Sequence, residues 1–198
     1  MNENLLNEIA RNMVKDSKGI LAMDESFPTI KKRFKSLNIK DSEDNRRDYR
    51  TMLVKADDLN QYISGAILFD ETIKQKTSDG INFPEYLNKI GIIPGIKVDG
   101  GAKPFSCHPE EKITEGLDNL NDRMVEYKKL GAKFAKWRAV IIIKDNLPSN
   151  ACLNANAHAL ARYASICQEN DIVPIVEPEV LMDGNHTIET SYKVTSLT

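Results

Sequence analysis

Residues 134–143 read FAKWRAVIII, an apolar run that contains two charged side chains. Side chains alternate between the two faces of a strand, so Lys136 and Arg138 share one face with Phe134. A charge inside a buried strand is costly unless a partner neutralises it. The run therefore predicts a strand with one face in a functional site, while Trp137 on the opposite face packs under helices.

Four other short apolar runs also predict strands, at Gly19–Met23, Gly65–Phe69, Ile92–Val98 and Ile172–Val176. Most are apolar on both faces, as buried parallel strands are. Charged residues again follow or interrupt these runs; they are Asp24, Lys97, Glu177 and Glu179. With Lys136 and Arg138 they make three cations and three carboxylates, which can neutralise one another where the strands end. Crowding of this kind shifts pKa values and creates general acids and bases.

The same alternation of side chains predicts which other residues share one face of a strand. Lys97 shares a face with Asp99, and Glu177 shares a face with Glu179. Pro178 lies on the face opposite these glutamates. Since proline has no ladder donor, Pro178 is predicted to mark the point where strand pairing stops.

Segments with helical periodicity separate the strands. Apolar residues recur at helical spacing in Leu117–Tyr127, which Gly131 ends, and in Cys152–Ile166, where Ser149 is the predicted N-cap. Other predicted helical segments are Asp44–Asp58, Phe83–Ile90 and an amphipathic stripe in Met1–Lys15. The charged segment Pro109–Glu115 is predicted to be a loop or a helix start.

Strands that alternate with helices imply βαβ units and an α/β fold with a parallel sheet. The rival architecture is a doubly wound sheet, but residues 19–26, GILAMDES, lack its glycine fingerprint and place a carboxylate there instead. Doubly wound sheets concentrate chemistry at one crevice, whereas barrels place it on many strand ends. Charges at four strands favour a TIM (β/α)8 barrel, and residues 1–198 are expected to form a single partial barrel domain with about the first five strands.

Bulk properties exclude several classes of protein. The chain has 198 residues, a net charge of −2 and a pI near 6.0, so no overall field attracts nucleic acid or an anionic membrane. No apolar run approaches the roughly 18 residues of a membrane span, and no signal peptide is evident. Its three cysteines include no CxxC pair, which is typical of reduced thiols and predicts a cytoplasmic location.

Several segments together resemble class I fructose-bisphosphate aldolase. They are GILAMDES, NRRDYR, GAILFDET, GIKVDGG, FAKWR, LARYASICQ and IVPIVEPEVL, and they occur in the family's order from about Leu6 to His186. The resemblance implies a TIM barrel that reversibly cleaves fructose 1,6-bisphosphate to dihydroxyacetone phosphate and glyceraldehyde 3-phosphate in glycolysis and gluconeogenesis. It implies a lysine Schiff base, no metal or other cofactor, a phosphorylated sugar as substrate and a homotetramer. A metal-dependent aldolase is disfavoured because His108, His158 and His186 lack ligand spacing.

The resemblance also implies roles for individual residues. The catalytic residues would be Asp24, Lys136, Glu177 and Glu179, with Glu177 as general acid/base and Lys136 promoting Schiff-base chemistry through its charge. The substrate-binding residues would be Ser26, Thr29, Arg33, Lys97 and Arg138.

Three departures from the family pattern stand out. Phe27-Pro28-Thr29 replaces Thr-Gly-Ser, which puts contact with the phosphate end of the substrate in question. Gly100 replaces a common lysine in what is expected to be a peripheral position. The family's Schiff-base lysine lies on the sixth strand, beyond Thr198, and Thr187–Thr198 is expected to depart from the family pattern.

Two hypotheses follow from these departures. In the first, the chain is the N-terminal portion of a class I aldolase; in the second, it is a non-catalytic fragment, a pseudogene product or an interaction module. An open five-strand sheet would expose its first and fifth strands. We therefore expect this polypeptide alone to fold poorly or aggregate, and to show no useful aldolase turnover.

Overall fold

Five parallel strands form one sheet in the structure of residues 1–198, which is a computed structural model. The strands of the whole chain are β1 (Gly19–Ala22), β2 (Ile63–Leu68), β3 (Ile93–Lys97), β4 (Ala102–Pro104), β5 (Lys112–Thr114), β6 (Phe134–Ile141) and β7 (Val173–Val180). The helices are α1 (Glu3–Met13), α2 (Phe27–Ser36), α3 (Glu43–Val54), α4 (Leu59–Tyr62), α5 (Asp70–Lys74), α6 (Phe83–Lys89), α7 (Leu120–Leu130), α8 (Asn150–Glu169) and α9 (Ile188–Leu197), with a 3-10 turn at Lys15–Ser17.

The parallel sheet has the order β1-β2-β3-β6-β7, so its strands follow one another in chain order. Helices connect successive strands, as the predicted βαβ units require. The sheet curls into part of a barrel, and β1 and β7 are its two open edges. These observations confirm the predicted partial (β/α)8 barrel with five strands.

The register explains how a charge in the middle of β6 reaches the end of the sheet. Lys97, the last residue of β3, is opposite Lys136 on β6. Because β6 continues to Ile141 while β3 has ended, Lys136 is level with the carboxyl end of its neighbour. Both lysines therefore reach the side of the barrel where (β/α)8 proteins place their chemistry.

The expected end of pairing at Pro178 is wrong. Pro178 is opposite Ala139, and β7 pairs with β6 as far as Val180. Val173 and Leu181 donate backbone hydrogen bonds to Lys133 and Ile141, and alternate residues between them point the same way. The nitrogen of Pro178 therefore faces the open edge of the sheet, where the missing N–H interrupts no bond to β6.

The main core lies between the sheet and its helices. Trp137 is fully buried there, and its ring centroid lies 5.4 Å from that of Tyr163 on α8. This confirms its predicted position under the helices. A second apolar cluster lies inside the curl, where Ile9 and Met13 of α1 pack with Ile67 and Phe134. α1 therefore fills part of the barrel interior.

Most of the predicted helices are confirmed with small shifts. Ser149 caps α8 by accepting a hydrogen bond from the Cys152 N–H, and Gly131 ends α7 at a φ of 106°. α3 ends at Val54, before the predicted Asp58. Helices α2, α4, α5 and α9 were not predicted, and of these α4 and α5 have only four and five residues. No helix combines the length and the apolar character that crossing a membrane requires.

The prediction for Pro109–Glu115 is wrong, because Lys112–Thr114 is strand β5, which pairs with β4 in a hairpin. The side chain of Thr114 donates to the backbone carbonyl of Arg138 at 2.8 Å. The buried side chain of Asn156 on α8 accepts from the Thr114 N–H and donates to the Lys112 carbonyl. The hairpin is thus held against both β6 and α8.

Candidate active site

A cleft of about 610 Å³ lies at the carboxyl ends of the strands. Its lining residues are Ala22, Asp24, Glu25, Ser26, Pro28, Thr29, Arg33, Phe69, Lys97, Asp99, Gly100, Gly101, Ala102, Lys103, Lys136, Arg138 and Val140. Five of them are cations and three are carboxylates. Two further carboxylates, Glu177 and Glu179, pair with Lys136 and Arg138 from outside the lining. The cleft therefore offers an anionic ligand several cationic donors, most of them already paired.

Lys136 lies between two carboxylates. Its Nζ is 3.3 Å from Asp24 Oδ2 and 3.4 Å from Glu177 Oε2. Burial lowers the pKa of Lys136, but the nearby charges of Asp24 and Glu177 outweigh it, and the pKa is raised overall. Lys136 is therefore an ammonium ion at neutral pH, with two acids beside it that can exchange protons.

Arg138 pairs with Glu179 at the open side of the sheet. The hydrogen bond that Arg138 donates to Glu179 is the largest cause of its raised pKa, and the charges of Glu179, Glu177 and Asp99 add to it. Both side chains are more than a third exposed, so solvent weakens the ion pair. The guanidinium keeps donors available, and its planar fork suits a phosphate or carboxylate.

Lys97 is held by Asp99, two residues further along the chain. Its ammonium contacts the Asp99 carboxylate and donates to the Asp99 carbonyl at 3.1 Å. The Asp99 side chain is only 3% exposed and also accepts from the Gly101 N–H at 3.0 Å. Asp99 was not among the candidate residues, although the shared strand face with Lys97 was a signal for it.

Arg33 approaches the cleft from α2. It pairs with the carboxylate of Glu25, and the hydroxyl of Tyr49 lies 3.4 Å from the same carboxylate oxygen. Arg50 is fully buried and donates to the Glu25 carbonyl at 2.8 Å. Glu25 is thus a second residue that the sequence analysis missed. The NRRDYR segment supplies Tyr49 and Arg50, and through them fixes the chain beside Asp24.

The Phe27-Pro28-Thr29 departure leaves the polar groups in place. Pro28 lies in the first turn of α2, where a fixed φ and a missing N–H are tolerated. Phe27 packs edge-to-face against Phe69, with ring centroids 5.1 Å apart. Ser26 and Thr29 both line the cleft, and their hydroxyl oxygens are 3.2 Å apart.

Seven of the nine predicted site residues line the cleft. Glu177 and Glu179 do not, and they reach the others only through Lys136 and Arg138. Gly100 is not peripheral as expected, because it forms part of the cleft wall. A Cβ at this position would lie 3.2 Å from the Glu115 carbonyl oxygen, so the backbone passes close to the hairpin there.

A larger depression of about 860 Å³ lies between α3 and the segment 74–80 and contains none of the predicted site residues. Three of its four cations already pair with acids, as Lys55 does with Asp79. No group of three or more His, Cys, Asp or Glu side chains could hold a metal ion.

The curled parallel sheet and the charged cleft at its carboxyl ends define part of a (β/α)8-barrel protein. The family model for class-I fructose-bisphosphate aldolase matches residues 5–198. The chain belongs to the class-I fructose-bisphosphate aldolase family. The range of the match includes Thr187–Thr198.

Individual relatives agree with this assignment. The chain is 60% identical over 193 residues to a probable class 1 fructose-bisphosphate aldolase of Xanthomonas axonopodis pv. citri, and 53% identical over 191 residues to a fructose-bisphosphate aldolase of Drosophila melanogaster. These matches cover 98% and 96% of this chain, but 58% and 53% of the relatives. The chain therefore spans little more than half the length of these relatives.

A solved structure is also similar. It is the fructose-bisphosphate aldolase of Plasmodium falciparum in complex with TRAP and a small-molecule inhibitor, with a TM-score of 0.94 and 46% sequence identity. The match covers all of this chain and 58% of that protein. At this identity and score the agreement extends over the complete partial barrel.

Proposed function

We propose that residues 1–198 form one partial barrel domain that supplies the acid–base and phosphate-binding part of a class I aldolase site. The reaction is the reversible cleavage of fructose 1,6-bisphosphate to dihydroxyacetone phosphate and glyceraldehyde 3-phosphate, in glycolysis and gluconeogenesis. The observation that carries the proposal is the position of Lys136 between Asp24 and Glu177, in a cleft lined by five cations. Aldol cleavage needs groups that move protons beside a carbonyl, together with cations that bind phosphate.

In this proposal Asp24, Lys136, Glu177 and Glu179 are the catalytic residues. Glu177 is the general acid/base, and the Lys136 ammonium stabilises negative charge on the oxygen of the substrate. Glu179 holds Arg138 in place. The sugar phosphates are bound by Ser26, Thr29, Arg33, Lys97 and Arg138.

The proposal places the Schiff-base lysine outside residues 1–198. A nucleophilic amine needs a depressed pKa, whereas that of Lys136 is raised by two neighbouring carboxylates. Lys97 is bound to Asp99 through its ammonium. Neither lysine is therefore arranged to attack a ketose carbonyl, and we propose that this chain alone does not catalyse cleavage.

Two experiments test these statements. In a chimera, residues 1–198 are followed by the remaining C-terminal portion of the Xanthomonas relative, and aldolase activity is measured. We expect activity, with Glu177→Gln and Lys136→Met each lowering kcat by about 100-fold or more, in the range for loss of an acid–base group, while Lys144→Met outside the cleft leaves it unchanged. An inactive chimera that folds would contradict the proposal.

The second experiment is borohydride trapping of residues 1–198 with dihydroxyacetone phosphate. We expect no adduct on Lys97 or Lys136, whereas the chimera gives one adduct in its added portion. An adduct on either lysine of residues 1–198 would show that the nucleophile lies within this chain. If the chain binds the sugar but the chimera is inactive, the non-catalytic alternative is favoured.

We also propose that the protein is cytoplasmic and that the chimera assembles as a homotetramer. The three free cysteines suit a reducing compartment. The assembly rests only on the resemblance to the family, and light scattering of the chimera tests it, because a monomer would contradict the proposal.

A further inference from the structure

Four of the five cations that line the cleft are neutralised by carboxylates. Lys136 pairs with Asp24 and Glu177, and the other three pairs are Arg33–Glu25, Lys97–Asp99 and Arg138–Glu179. The fifth cation is Lys103, which makes no ion pair and no side-chain hydrogen bond in the structure. Lys103 is therefore the one cation of the cleft lining that has no carboxylate partner.

Lys103 lies on an element whose position is fixed. It is the central residue of β4, opposite Ile113 of β5, and its side chain is exposed. The hairpin is joined to the cleft wall by the hydrogen bond from the Gly100 N–H to the Glu115 carbonyl, at 2.7 Å. The same hairpin is joined to β6 through Thr114. Lys103 is therefore a flexible ammonium on a rigid support at the side of the cleft.

An anion can bind a free ammonium without displacing a carboxylate, whereas at a paired ammonium it must compete with one. A phosphate that approaches Lys97 or Arg138 competes with a carboxylate already in contact. Lys103 offers three donors with no internal competitor, although salt screens its exposed charge beyond about 10 Å. Such a cation binds phosphate as a point charge and steers anions towards a cleft.

We propose that Lys103 is a substrate-binding residue that contacts a phosphate group of the phosphorylated sugar. This inference rests on the proposed function, since it takes the same cleft as the sugar-phosphate site. It adds the β4–β5 hairpin to the elements that bind the ligand.

The test is binding of fructose 1,6-bisphosphate to the chimera, in which the sheet is not left open, and KM measured with dilute protein is the readout. We expect Lys103→Met to weaken binding by about fivefold, which is the effect of one ion pair at contact distance in water. The matched control is Lys112→Met on β5, which removes an exposed, unpaired cation from the same hairpin outside the cleft. It should leave affinity within about twofold, and the difference between the variants should shrink at high ionic strength.

A second variant tests the charge itself. Lys103→Arg keeps a cation at the same position of β4 and should retain most of the affinity that Lys103→Met loses. Equal affinities for Lys103→Met and Lys112→Met, in a chimera that binds, would overturn this inference and leave the proposed function intact. A folded chimera that does not bind the sugar bisphosphate would overturn the proposed function, and this inference with it.

Discussion

The ammonium of Lys136 lies 3.3 Å from the carboxylate of Asp24, although the two residues are 112 positions apart in the chain. Lys136 is on β6 and Asp24 follows β1, and the sheet order places β2 and β3 between these strands. In a flat sheet three strand spacings would separate them by about 14 Å, which is beyond the reach of a lysine. The contact therefore depends on the curl of the sheet, and it joins the first strand of the site to its centre.

This contact predicts a measurable cost when the lysine is removed. Lys136→Met leaves Asp24, whose side chain is 10% exposed, without its partner, and we expect a loss of about 3 kcal/mol in the free energy of unfolding. The measurement is urea denaturation of the chimera at neutral pH. The double variant Asp24→Asn with Lys136→Met should recover part of the loss, because it removes the unpaired charge. A single variant as stable as the wild type would contradict this reading of the contact.

The same contact predicts a pH dependence. Since the pKa of Lys136 is raised on folding, its stabilisation is fully present below the ordinary lysine pKa of about 10.5 and is lost as the pH rises through the folded value. The difference in unfolding free energy between wild type and Lys136→Met should therefore be constant near neutrality and decrease in strong alkali. A difference that decreased between about pH 6 and pH 8 would have to come from another group.

The open edges of the sheet predict self-association of residues 1–198. The side chain of Val176 on the edge strand β7 is 47% exposed, and its N–H faces the open edge. Val176→Lys should lower the fraction of oligomer seen by light scattering, because a charge on an edge strand opposes pairing with a second chain. The control is Val14→Lys, which adds the same charge at an exposed valine after α1. Equal effects of the two changes would contradict an edge-mediated contact.

Gly95 of β3 lies so close to Phe134 in the barrel interior that a larger side chain would not fit. A Cβ at this position would lie 2.2–2.5 Å from ring atoms of Phe134, which is fully buried on the neighbouring strand. We expect Gly95→Ala to lower the unfolding free energy by about 2–3 kcal/mol through overpacking. Gly19→Ala on β1, where the nearest atom is 3.9 Å away, should change it little. Urea denaturation of the chimera measures both, and similar values for the two variants would contradict this account.

The three cysteines should react at very different rates. Burial raises the pKa of Cys167 to about 12, and burial with the charge of Glu111 raises that of Cys152, whereas Cys107 is exposed. At about pH 8 only about one Cys167 in ten thousand would be a thiolate. One thiol per chain should therefore react with maleimide in the folded protein, and Cys107→Ser should abolish that reaction. Rapid labelling of Cys167 would mean that α8 opens readily from the sheet.

Much of the fold could be predicted from local sequence patterns. The apolar runs predict the five parallel strands to within a few residues, because a strand buried on both faces needs apolar side chains throughout. The Ser149 cap and the Gly131 stop were predictable for a similar reason, since both depend on backbone groups within one helical turn. Short helices such as α4 and the β4–β5 hairpin escaped prediction, because contacts with distant residues stabilise them.

The candidate site, like the fold, could be predicted from local sequence patterns only in part. The alternation of side chains in β6 was sufficient to place Lys136 and Arg138 on one face and Trp137 on the other, because that alternation is local geometry. The sequence by itself also determined that charges follow several strands and must be neutralised nearby. It did not determine their partners.

Tertiary structure alone decided which charges pair and which one remains free. Lys136 meets Asp24 because the sheet curls, and Pro178 stays within a paired strand because its nitrogen faces the open edge. Lys103 enters the cleft because a hairpin, held by Thr114 and Asn156, folds back against β6. Each of these outcomes depends on the distance between residues far apart in the chain, which the curvature and packing of the sheet set and no local pattern records.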